Sequence, residues 1–185
     1  MEDEPSDAPL VERAQQGDRA AFAVLVERFQ QPLGSYLWRL THDADVALDL
    51  TQETFLHAYQ SIGQTRPGLL VRPWLYRIAT NLAYDEFRRR RRLGHVRAGM
   101  VPSAAVQDET SAVEERELVQ LALERLRPSD RAVLLLCAIE ELTYSEVAVT
   151  LGCSSEAARK QFTRAKERFR VAYAEVMPKS LPQAS

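Results

Sequence analysis

The residues of this chain best suited to chemistry are cations and aromatics at helical spacing, and the chemistry they suit is recognition of a polyanion. Trp74, Arg77, Asn81, Tyr84, Asp85 and Arg88 are separated by three and four positions, so a helix places them on one face that mixes rings, an amide and bases. Aromatics and arginines beside a cationic track are what unstacked single-stranded bases require. Burial in a core is an equal use for Trp74. The run Arg88, Arg89, Arg90, Arg91, Arg92 follows at once. Successive helical residues turn by about 100°, so these side chains cannot all point one way, and some must act as general phosphate clamps. A second group, Ser155, Arg159, Lys160, Arg164, Lys166 and Arg168, lies near the C-terminus with only two acids nearby. Its form is that of a helix laid on duplex DNA, with base edges met near the N-terminus and phosphates further along.

Other chemistries find little support. Cys137 and Cys153 are sixteen positions apart, and His42, His57 and His95 form no pair with metal-ligand spacing, so neither a disulfide framework nor a metal site is expected. No nucleophile–base pair, glycine-rich phosphate loop or carboxylate cluster is visible, so neither an enzyme nor a cofactor is expected. Leu48, Asp49, Gln52 and Glu53 share a polar, acidic helical face that charge alone reads as solvated.

The elements that must position these residues are helices. Phe22, Val26, Phe29, Leu33, Leu37 and Leu40 recur every three or four positions, with Pro32 as a point where that helix would kink or divide. A second helix is predicted from about Asp43 to Ile62, a loop over Gly63–Pro73, and a third helix from Trp74 to about Leu93. Residues 94–113 lose the apolar period and read as a linker. The period returns from Glu114 and resumes after Arg127-Pro128-Ser129. Thr143-Tyr-Ser-Glu146 has the form of a capping box, Gly152 stops the helix it opens, and Ser154 or Ser155 caps a basic helix starting near Glu156. That is a helix-turn-helix. The expected fold is all-α: an acidic disordered tail (1–9), a helical domain (10–93), a flexible linker (94–113), a helix-turn-helix domain (114–174) and a tail (175–185).

Charge is segregated along the 185 residues even though the net charge is only -2. Residues 1–60 hold eleven acids and four bases, whereas 72–97 hold eight bases and two acids. Residues 108–147 hold ten acids and four bases, whereas 154–170 hold six bases and two acids. Two basic faces set among acidic surfaces imply two contacts with a polyanion and a separate, basic partner for the acids. The N-terminus is acidic and no apolar run approaches the length of a membrane span, so a cytoplasmic protein with no membrane insertion of its own is expected.

Taken together, the motifs resemble those of a bacterial RNA polymerase sigma factor of the small, two-domain extracytoplasmic-function class, over roughly residues 10–93 and 114–173. Leu48-Asp49-Leu50-Thr51-Gln52-Glu53-Thr54-Phe55 resembles the helix that docks on the polymerase clamp, which implies contacts to core RNA polymerase through Leu48, Asp49, Gln52 and Glu53. The segment Arg72 to Asp85 with the arginine run resembles the helix that melts and reads the minus-ten element. The resemblance thus gives Trp74, Arg77, Asn81, Tyr84, Asp85, Arg88, Arg89, Arg91 and Arg92 to promoter DNA. Leu123 to Phe169 resembles the domain that reads the minus-thirty-five element, where Ser155, Arg159, Lys160, Arg164, Lys166 and Arg168 would meet DNA. The start of that helix, Glu156-Ala157-Ala158-Arg159-Lys160-Gln161-Phe162, departs from the Gly-Thr-Val-Lys-Ser-Arg-Leu of many relatives. An anti-sigma factor is a partner implied by the resemblance alone. The alternative reading is a stand-alone helix-turn-helix regulator that binds its operator without polymerase.

Overall fold

The computed structural model describes residues 7–93 and 110–177, with side chains described outside 110–114. The expected disorder of the first residues and flexibility of the linker lie outside this range, apart from 7–9 and 110–113. The described residues form eight α-helices and one 3-10 turn (Ile62–Gln64), with no strand among them. The helices are α1 (Ala8–Gln15), α2 (Arg19–Thr41), α3 (Ala44–Ser61), α4 (Val71–Arg92), α5 (Thr110–Glu124), α6 (Pro128–Ala138), α7 (Tyr144–Leu151) and α8 (Ser155–Val176).

Side-chain caps set several starts. Asp18 accepts the N–H groups of Ala20 and Ala21 at 2.9 and 3.1 Å to open α2, and Asp43 accepts that of Val46 to open α3. Pro32 lies within α2 but does not divide it. The helix survives the lost donor because Phe29, Leu33, Tyr36 and Leu37 around it are all buried, and that packing outweighs a local defect. α4 begins three residues before Trp74, which is possible because Pro73 sits in the first turn, where its missing N–H costs nothing. α5 begins at Thr110, so the last four residues expected in the linker are helical.

The helix-turn-helix forms where expected. Thr143 and Glu146 make both halves of a capping box at the start of α7, and Gly152 ends it in the left-handed conformation at φ 66°. Ser154, rather than Ser155, caps α8 by accepting the N–H of Ala157 at 3.1 Å. Val147, Ala158 and Ala165 bury the inner faces of the two helices. Small alanines on α8 let it approach α6 and α7 closely.

The two helical groups, α1–α4 and α5–α8, also pack on one another. Leu37, Leu40, Leu75 and Tyr76 of the first belong to the same contiguous apolar cluster as Val133, Leu136 and Val147 of the second. The contact is made by α4 against α7 and by α2 against α6.

Candidate nucleic-acid interface

α4 carries the first basic surface. Its inner face is anchored by Leu75, Tyr76, Ala79, Thr80 and Ala83, all buried, with the Tyr36 hydroxyl 2.7 Å from that of Thr80. That anchoring turns Arg77, Asn81, Asp85, Arg88 and Arg92 outward at intervals of three and four. Trp74 and Tyr84 flank the stripe and are half-buried against the core. Burial pushes the Tyr84 phenol up to about 12, and Asp130 of α6 adds to the effect.

The five arginines divide their work as the 100° rotation requires. Arg90 turns inward and bridges Glu86 at 2.6 Å and Asp43 at 3.0 Å, tying the end of α4 to the start of α3. Arg89 grips Glu86 through two hydrogen bonds of 2.8 and 3.0 Å. Arg89, and against the opposing cost of burial Arg90, hold the Glu86 carboxyl below its ordinary range. Arg88 pairs with Asp85 on the exposed face. The Arg88–Asp85 pair is exposed on both sides and contributes little, whereas Glu86, the partner of Arg89, is largely buried. Arg88, Arg91 and Arg92 line one concavity of about 410 Å³.

The second basic surface is the outer face of α8. Arg159, Lys160, Thr163 and Arg164 line a concavity of about 500 Å³ together with Tyr144 from α7. Lys160 is held by Glu156 at 2.7 Å, one turn back. Ser155 lies at the exposed start of the helix, 3.4 Å from the Ser145 hydroxyl. Two expected members, both exposed on α8, make contacts of their own. Lys166 turns over the Phe162 ring, 5.0 Å from its centroid. Arg168 is drawn 2.5 Å from the buried carboxylate of Asp130 on α6. Tyr144 and Thr163 are lining residues that sequence reasoning missed, because a ring at a helix start and a neutral hydroxyl stand out in neither charge nor periodicity.

Leu48, Asp49, Gln52 and Glu53 all face outward from α3, while Ala47, Leu50, Thr51 and Phe55 bury its other side. Leu48 is 59% exposed, as is Leu56 two turns on at 55%. Leu48 borders a shallow groove of about 440 Å³ shared with Gln30, Gln31, Gly34 and Trp38 of α2. Trp38 was not anticipated. Its signal is a tryptophan one position past the buried stripe, beside Leu37, where it stays 44% exposed. An apolar pair, Trp38 and Leu48, in a groove shared with the polar Gln30 and Gln31 has the make-up of a protein-binding surface.

Among the described residues no group of three or more metal-ligating side chains comes together, and no helix is long and apolar enough to cross a membrane.

Comparison with known proteins places these surfaces in a family. Sigma-70 region 2 matches residues 25–93 and Sigma-70, region 4 matches residues 116–169. The chain is 32% identical to the RNA polymerase sigma-H factor of Pseudomonas aeruginosa, over 87% of this chain and 90% of that one. It is 31% identical to the ECF RNA polymerase sigma-E factor of Escherichia coli K12, over 90% of this chain and 94% of that one. Its fold is similar to that of CnrH in complex with the cytosolic domain of CnrY, with a TM-score of 0.72 and 25% identity over 91% of this chain and 97% of that one. The sigma factor RpoE in complex with the anti-sigma factor NepR from Bartonella quintana shares the fold with a TM-score of 0.69 at 21% identity, over 83% and 96% of the two chains. Two matched regions in the family's order, and identity sustained over nearly the whole of its relatives, show that the chain belongs to the extracytoplasmic-function class of RNA polymerase sigma factors.

Proposed function

We propose a division of labour among three surfaces of this sigma factor. The α3 face of Leu48, Asp49, Gln52 and Glu53, extended by Trp38, docks on core RNA polymerase. The outward stripe of α4, from Arg77 to Arg92, takes the melted strand of the minus-ten element, with Trp74 and Tyr84 supplying rings. The patch of Tyr144, Arg159, Lys160, Thr163 and Arg164 meets the minus-thirty-five duplex. The domains are residues 10–93 and 114–174, and the chain works by binding rather than by catalysis. An anti-sigma factor is a further partner, supported by the fold relative solved with the anti-sigma factor NepR.

One observation carries the reading: the two cationic surfaces fall one in each matched sigma-70 region, while the exposed apolar pair Trp38 and Leu48 shares the first region but lies on the α2–α3 side, off the α4 stripe. Base extrusion costs a few kcal/mol, and stacking on rings with cationic contacts is of the size needed to offset it.

The test is a titration of core RNA polymerase with the wild-type chain and with Asp49→Ala/Gln52→Ala. Tight binding that weakens by about tenfold or more in the double variant is expected, which corresponds to about 1.4 kcal/mol shared by two polar contacts. Equal binding by both would remove the α3 face from the interface. Absence of binding by the folded wild type, with operator binding retained, would instead make the chain a stand-alone regulator.

A further inference from the structure

The basic face of α8 carries an acid at the end that would meet base edges. Glu156 and Lys160 are each two residues from the buried Ala158, so a rotation of about 100° per residue turns both to the side of the helix that faces away from the core. Both lie within the first two turns of α8. The Glu156 carboxylate is 2.7 Å from the Lys160 ammonium, and the two side chains are 68% and 62% exposed. The same rotation puts Arg159 and Arg164 on either flank of this pair.

Helix support is a weak reason for the pair, because ions one turn apart stabilise a helix only slightly and an exposed pair is readily given up. The acid also has a cost. Its neighbours form a cationic surface that suits a polyanion, and phosphate repels a carboxylate that meets no hydrogen-bond donor. In the major groove such donors belong to bases alone: the N4 amino group of cytosine and the N6 amino group of adenine. A recognition helix brings its first residues to base edges, which is where Glu156 stands.

The two amino groups differ in what lies beside them. Adenine N6 sits between its own N7 and the O4 of the paired thymine, both acceptors, so a carboxylate there is opposed on either side. Cytosine N4 has an acceptor on one side only, guanine O6, with guanine N7 beyond it. One donor followed by two acceptors is the complement of a carboxylate followed by an ammonium, which is the order that Glu156 and Lys160 present.

We propose that Glu156 and Lys160 determine specificity for one cytosine–guanine pair of the upstream element, the Glu156 carboxylate accepting from cytosine N4 and the Lys160 ammonium donating to guanine O6 and N7. Arg159 and Arg164 hold the phosphates to either side and set the register. The proposal rests on the sigma-factor reading only for the identity of that element as minus-thirty-five DNA, since base reading by α8 is measurable with or without polymerase.

The test is enrichment of bound sequences from a pool of randomised duplexes, by the full chain alone and by the full chain assembled on core RNA polymerase. Wild type is expected to select a cytosine–guanine pair at one position, with cytosine preferred about tenfold, within the range of a single base contact. Glu156→Ala keeps the rest of the selected sequence but prefers cytosine there by about twofold or less. Glu156→Gln moves the preference at that position to adenine, because a carboxamide pairs with N6 and N7 together. Lys160→Ala relaxes the same position and no other. Both sites are exposed, and circular dichroism checks that each variant keeps its helicity. A role in helix support alone would weaken binding to every sequence equally and move no base, and that result overturns the proposal. So does a wild type that selects no such pair, or a Glu156→Ala chain that still selects it. Selection of the pair by the chain alone, with no binding to core polymerase, would leave the base reading standing and overturn the sigma-factor reading.

Discussion

At the scale of the residue, a cation's sequence neighbours say what it could meet but not what it does meet. Arg164 and Arg168 lie one turn apart on α8 and read alike in the sequence, yet Arg164 joins the outer patch while Arg168 is held by Asp130, 38 positions away in the chain. The same holds at the end of α4, where Arg90 is tied to Glu86 and Asp43 while Arg92 lies exposed beside Arg88 and Arg91. Only the rotation of the helix was legible. This division has a measurable consequence. Arg159→Ala should weaken binding to promoter duplex and lower the salt dependence by about one unit of slope, the mark of one lost phosphate contact. Arg168→Ala should leave that slope unchanged and cost stability instead, on the order of 1–2 kcal/mol, because the Asp130 carboxylate stays buried without its partner. Duplex titrations at several salt concentrations, beside urea denaturation, separate the two. A slope lowered equally by both variants would put Arg168 on the DNA.

At the scale of the element, helix existence was written clearly in apolar spacing, and boundaries were written in caps. The capping box of Thr143 and Glu146, the stop at Gly152 and the linker's loss of period are local signals with local causes. Pro32 offered a point of division in α2, but buried neighbours before and after it keep the helix continuous from Arg19 to Thr41. The turn before α8 offers a test of how much local geometry matters. Gly152 has φ 66°, and a Cβ added there meets nothing within 4 Å. Gly152→Ala therefore carries only the backbone penalty of the left-handed region, about 1 kcal/mol, with no steric clash. Thermal melts should show a fall of roughly 2–4 °C for a chain of this size. DNA affinity in the folded variant should be retained. A fall several times larger would mean that the turn is packed more tightly than its open surroundings indicate.

At the scale of the whole molecule, the sequence announced two helical domains and two basic faces, but it held no sign of the few buried polar groups in the apolar core where the domains join. Tyr76 and Glu140 are 64 positions apart, Leu40 and Arg131 91, and no periodicity relates them. His42 lies at the same junction and gives it a pH dependence. The residue ends α2 in the left-handed conformation, its Nδ1 faces Gln120 and, at 3.6 Å, Glu124 of α5, and its Nε2 is buried without a hydrogen-bond partner. Burial, with the Arg131 charge beside it, pulls the imidazole from 6.5 down to about 3. The closed chain therefore binds His42 in its neutral form. When the junction opens or the chain unfolds, the ring regains its ordinary affinity for a proton, so between about pH 6.5 and 3 the open state holds more protons and stability falls as pH falls. From pH 7.5 to 5.5 the loss from this group comes to about 1 kcal/mol. Denaturation at the two pH values should show that difference in the wild type and a smaller one in His42→Gln, which keeps a polar side chain but cannot take up the proton. An equal difference in both chains would mean that other groups set the acid response and that the ring is not desolvated at the junction.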